Sequence, residues 1–123
     1  MDACAAGSGD DTITLPTGTY TLLVAGTGED NNATGDLDVK SNIAINGAGA
    51  STTTINGGAI DRVLHVLSGN TLALSGVTVT NGSTSTNGAG IYNFQGTLTL
   101  TDSRVAVNDS TNGNSVGIYS FLA

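Results

Sequence analysis

Asn87-Gly88-Ala89-Gly90-Ile91-Tyr92-Asn93, followed by Thr97-Leu98-Thr99-Leu100-Thr101, is the stretch that decides the fold. A glycine-loosened turn leads to a short apolar and aromatic step, Gln95-Gly96 turns again, and a strictly alternating strand follows. The opening returns as Ser115-Val116-Gly117-Ile118-Tyr119-Ser120. Upstream, the same order of short strands runs Val63 to Leu67, Thr71 to Leu74 and Val77 to Thr80, and before that Asp36 to Lys40, Ile43 to Ile45 and Thr52 to Ile55. Val63 and Ile91 lie 28 residues apart, Ile91 and Ile118 27, Leu74 and Leu100 26, and Gly47 and Gly76 29. A period near 27 is too long for hexapeptide or nonapeptide β-helices and too short for a propeller blade of about 40 residues. No segment has helical apolar spacing or a leucine-rich-repeat frame. Three short strands per period predict an all-β parallel β-helix of about four coils, each strand pairing with its equivalent one coil away.

The alternation assigns Ile43 and Ile45, Leu72 and Leu74, and Leu98 and Leu100 to inward aliphatic columns, with Ala44, Ala73 and Thr99 facing out. For the first strand of each coil the register stays open: either Leu64 and Val66, or Val63, His65 and Leu67, point inward. Nearer the N-terminus, Thr12 to Leu15 and Thr19 to Val24 read as strands separated by Pro16-Thr17-Gly18. Residues 1–10 read as a frayed end, and 26–35 as an acidic loop. Asn81 to Asn87 and Asn108 to Ser115 read as polar loops. The chain is expected to be a single β-helix segment over 1–123, part of a longer protein, with uncapped ends.

Composition agrees with many strands and turns. The chain has 19 Thr, 12 Asn, 11 Ser and 18 Gly, with Lys40, Arg62 and Arg104 as its basic residues. Thr suits a pleated surface, whereas Gly and Asn tolerate the positive φ of tight turns. A net charge of −7 argues against nucleic acid, whose phosphates are held by clustered Lys and Arg. It also disfavours anionic membranes, and no apolar run approaches the roughly 20 residues that cross a bilayer. Met1-Asp2-Ala3-Cys4 lacks the basic and apolar regions of a signal peptide, and the lone Cys4 can form no internal disulfide.

Asn87 to Asn93 and Gly96 to Ser103 closely resemble the right-handed parallel β-helix repeats of bacterial surface and secreted proteins. These are the exported proteins with a CSLREA motif near the N-terminus, related to polymorphic outer-membrane and autotransporter passenger repeats. The resemblance extends to Asp11 to Tyr20 and Gly35 to Val39. It implies an extracellular or cell-surface location and a stalk or adhesin-like role. The CSLREA motif itself is absent, and Gly57-Gly58-Ala59-Ile60 matches half of the outer-membrane repeat signature without its Phe-x-x-Asn half.

Candidate chemistry is sparse, and no catalytic or cofactor-binding residue is assigned. Hydrolysis of a glycosidic bond usually needs two facing carboxylates, for which Asp36 and Asp38 are the best pair. A polysaccharide lyase or hydrolase is therefore the alternative to a non-catalytic role. His65, the single histidine, reads as a packed or half-exposed strand residue. The acidic stretch 29–38 offers oxygen ligands suited to Ca²⁺, with Glu29, Asp30, Asp36 and Asp38 as the candidate metal ligands; otherwise it is a solvated loop whose side chains satisfy their own turns. Outward Thr fragments such as Thr97-x-Thr99-x-Thr101 suggest ice binding, but Ala44 and Ala73 interrupt the columns. Sequons at Asn32, Asn81 and Asn108 matter only in a glycosylating host. The expected function is a structural stalk or adhesive surface. Its partners are glycan or protein at the loops 26–35, 81–87 and 108–115, and neighbouring β-helix coils.

Overall fold

A computed structural model describes residues 10–26, 34–112 and 115–121. The described residues form strands and turns with no helix. The strands are β1 (Asp11–Leu15), β2 (Gly18–Thr21), β3 (Leu37–Val39), β4 (Ile43–Gly47), β5 (Thr53–Asn56), β6 (Leu64–Val66) and β7 (Thr71–Ser75). They continue as β8 (Thr78–Thr80), β9 (Ser83–Thr84), β10 (Ile91–Phe94), β11 (Thr97–Thr101), β12 (Arg104–Val105), β13 (Asp109–Ser110) and β14 (Ile118–Phe121). Three four-stranded sheets, β1-β4-β7-β11, β3-β6-β10-β14 and β2-β5-β8-β12, wrap a common interior, and every pairing in them is parallel. The molecule is a β-solenoid with three complete turns, each using one strand from each sheet. Strands β1 and β2 make a part-turn before them and β14 one after, so the count is about three coils against the four expected.

The expected columns of the first sheet form. Ile43, Leu72 and Leu98 are register partners, as are Ile13, Ile45, Leu74 and Leu100, with Thr12, Ala44, Ala73 and Thr99 on the opposite face. The third sheet adds Ile55, Val79 and Val105, and the core is closed by Val39, Val63, Leu64, Val66, Val77 and Ile91. Fully burying such a side chain contributes about 1.5 to 3 kcal/mol, against about 1 to 2 kcal/mol of backbone entropy per ordered residue. No coil closes this balance alone, so the core stabilises only through stacking.

The register left open for β6 is fixed by its neighbours. Leu37, Leu64, Ile91 and Ile118 form one inward column, and Val39, Val66, Asn93 and Ser120 the next. Each step in this sheet is 27 residues, and Leu64, rather than Val63, is the partner of Ile91. Asn93 enters the aliphatic column with its amide satisfied: Nδ2 donates to the Gly96 carbonyl and to Ser120 Oγ, and Oδ1 accepts from the Gly96 amide.

Three expected segments change. The strand expected over Thr19 to Val24 ends at Thr21, because β5, its partner, ends at Asn56; Leu22 makes a last bond to the Asn56 carbonyl, and Leu23 is 83 % exposed. Conversely, the polar loops after Asn81 and Asn108 contain the paired strands β9 and β13. Their Ser, Thr and Asp have no apolar face, so alternation did not mark them.

Turns stack as well as strands. Asn81 and Val107 occupy equivalent corners, the Asn81 amide donates to the Val107 carbonyl, and both have positive φ, 58° and 55°. Asn tolerates this region, whereas a β-branched residue there is strained. Because the Val107 side chain is 81 % exposed, little packing is lost by changing it. Val107→Asn is expected to stabilise by about 1 kcal/mol, and a thermal melt reading a midpoint several degrees higher checks it.

Candidate functional site

The outer face of the β3-β6-β10-β14 sheet concentrates the chain's reactive side chains. Because the inward positions are Leu37, Leu64, Ile91 and Ile118, the next residues point outward and align as Asp38, His65, Tyr92 and Tyr119. Asp36, one residue before β3, joins them from the turn. His65 Nδ1 stands 3.4 Å from Asp38 Oδ1 and 4.0 Å from Asp36 Oδ2. Asp38 is fully buried and Asp36 is 4 % exposed.

Aromatic rings continue the ladder. His65 meets Tyr92 edge-on, with centroids 5.1 Å apart and an interplanar angle of 73°. Tyr92 stacks on Tyr119 at 5.5 Å and Phe94 on Phe121 at 5.4 Å, nearly parallel in both cases. Arg62 lies over Tyr92 with its guanidinium carbon 4.4 Å from the ring centroid, while Nε donates to the Asn87 carbonyl and Nη2 to Thr86 Oγ1. This residue joins the ladder to a cleft of about 390 Å³ lined by Ile60, Asp61, Arg62, the 83–86 segment and Thr111. The cleft wall is held by the β9-β13 pair, by the Ser83 amide donating to the Asp61 carbonyl, and by Ser110 Oγ donating to the Thr86 carbonyl.

Burial pushes the Asp36 carboxyl up to about 8, the nearby charges of Asp61 and Asp38 push in the same direction, and Arg62 opposes them. The sign follows from linkage. A carboxyl that holds its proton more tightly folded than unfolded adds stability that is fully present below its ordinary value near 4 and is lost as pH rises toward 8. With divalent ions chelated, the melting midpoint is expected to fall between pH 5 and pH 9, and Asp36→Asn to flatten that fall. A midpoint that rises over this range in the wild type contradicts the assignment.

Of the candidate metal ligands, Asp36 and Asp38 are brought together, whereas Glu29 and Asp30 lie outside the described residues, as do Cys4, Asn32 and most of the acidic loop. The structure places His65, the packed or half-exposed strand residue expected, beside Asp36 and Asp38, and sets Arg62, which sequence reasoning did not single out, over Tyr92. The signal was present in the constant step of 27 from Asp38 to His65, Tyr92 and Tyr119, and became legible only once Leu64 was fixed inward. As a pair for sugar hydrolysis, Asp36 and Asp38 are covered from solvent although they lie on the outer face of the sheet. Two of the three expected loops, 81–87 and the described part of 108–115, are joined by the pairing of β9 with β13.

No protein-family model matches the chain, and comparison with curated proteins and with solved structures gives no match either.

Proposed function

We propose that this chain is a non-catalytic β-solenoid segment of a secreted or cell-surface protein, serving as a stalk whose outer face binds glycans. The observation that carries this reading is the placement of Arg62, which ties the half-buried aromatic ladder to a hydroxyl-lined cleft. Tyr and Arg are the residue types that most often dominate binding energy, because they present large, rigid contact area together with polar ends. Ser83, Thr84, Ser85, Thr86 and Thr111 add hydroxyl donors and acceptors suited to sugar hydroxyls. Solenoids commonly bind along such extended faces. The resemblance to CSLREA-type and autotransporter passenger repeats supports the extracellular setting.

The competing reading is a polysaccharide-processing enzyme centred on Asp36 and Asp38. Burial of both carboxylates argues against it, since an acid and a base must reach the scissile oxygen and a water. Screening the protein on a glycan array, with the same polymers assayed for new reducing ends, separates the two. Binding without cleavage is expected. Cleavage abolished by Asp36→Asn would replace the proposal with the enzyme, and capture by proteins with no glycan bound would replace the ligand class.

A further inference from the structure

We propose that Asp36, Asp38 and His65 form a binding site for a divalent transition metal such as zinc, one that staples two successive coils. The three side chains offer one ligand atom each, all within 4.8 Å of one another. With metal–ligand bonds of about 2.0 to 2.2 Å, tetrahedral ligand atoms stand about 3.3 to 3.6 Å apart. The 3.4 Å separation from His65 Nδ1 to Asp38 already falls in that range, and the 4.0 Å separation to Asp36 and the spread of the whole set, within 4.8 Å, must contract on binding.

The ligand positions are set by the fold. Asp38 and His65 are direct register partners in adjacent parallel strands, so their Cβ atoms are held on one face by the ladder. The edge-on contact with Tyr92 restrains the His65 ring from the other side. Burial points the same way: Asp36 and Asp38 are both buried, so a metal held between them and His65 is sheltered from competing water. A divalent cation that displaces the Asp36 proton offsets the charge of the two carboxylates nearest His65.

The donor set distinguishes among metals. Ca²⁺ takes six to eight oxygen ligands, whereas an imidazole nitrogen with two carboxylates suits zinc and its first-row neighbours. A water completes the fourth position of such three-ligand sites. The surface reading does not depend on this site, because the cleft and the ladder edge lie beyond it.

His65 is the single histidine, so its ring resonances identify the site without assignment of the whole chain. Titrating untagged protein with Zn²⁺ is expected to shift the His65 Nδ1 resonance with saturation at one equivalent and to raise the melting midpoint. Asp38→Asn and the milder Asp36→Asn, each checked for a cooperative melt, are expected to weaken Zn²⁺ binding at least tenfold. Millimolar Ca²⁺ is expected to leave the ring unshifted. Unmoved ring resonances at excess Zn²⁺, equal affinity in a folded Asp36→Asn variant, or tighter binding of Ca²⁺ than Zn²⁺ would overturn the site and leave a His–carboxylate ion pair.

Discussion

Leu74→Asp is expected to abolish the cooperative thermal transition at neutral pH. Leu74 is 1 % exposed in the central coil, between Ile45 and Leu100 in its column, so an aspartate there has no water and no partner. An unpaired buried carboxylate costs several kcal/mol on top of the lost apolar contacts, which is comparable with the whole stability of a small domain at about 5 to 15 kcal/mol. Stacked coils make the loss worse, since a broken central coil separates its neighbours. Leu100→Asp is the internal control. The same column ends there at the edge strand, where Leu100 is 37 % exposed and the charge can reach solvent. That variant is expected to keep a cooperative transition at a lower midpoint. Circular dichroism melts of the two proteins check both outcomes, and equal loss at both positions would contradict the column assignment.

Gly82→Ala is the second large effect. A Cβ at Gly82 would overlap the Ala89 carbonyl and press on Val63, and neither the backbone nor the fully buried valine can yield cheaply. This crossing is also pinned on its other side: the Gly82 amide donates to Asn108 Oδ1, and its carbonyl accepts from the Asp109 amide. A cost of about 3 kcal/mol or more is expected, at the upper end for overpacking a tight site. Gly117→Ala is the matched comparison, because a Cβ there meets only a Val105 methyl at an ordinary 3.8 Å. Denaturant melts should therefore show a large drop for the first and less than about 0.5 kcal/mol for the second.

These positions show how much of the molecule could be read from its residues. The first sheet was legible because Ile43-Ala44-Ile45, Leu72-Ala73-Leu74 and Leu98-Thr99-Leu100 alternate without ambiguity, and their pairing follows from the period. β6 was not, since Val63-Leu64-His65-Val66-Leu67 is apolar in either register and only pairing with Leu37 and Ile91 fixes it. The site inherited that uncertainty. Asp36 and Asp38 stood out as a carboxylate pair, but bringing His65 to them requires the 27-residue step between coils, and bringing Arg62 to Tyr92 requires the next one. β9 and β13 escaped notice because two-residue Ser, Thr and Asp strands carry no apolar alternation. The resemblance to bacterial surface repeats spoke to the fold and carried no information about these side chains.

Binding through the outer face is tested most directly by comparing the wild type with a Thr111→Ala/Tyr119→Ala double variant on the glycans that the wild type captures. Thr111 is an exposed cleft residue and Tyr119 the half-buried end of the ladder, so neither belongs to the solenoid core. With the melting midpoint little changed, the affinity of the double variant is expected to fall at least about 30-fold, the loss of a hot-spot contact of about 2 kcal/mol. Equal affinity in the two proteins, or sugar fragments released by the wild type, would contradict the account.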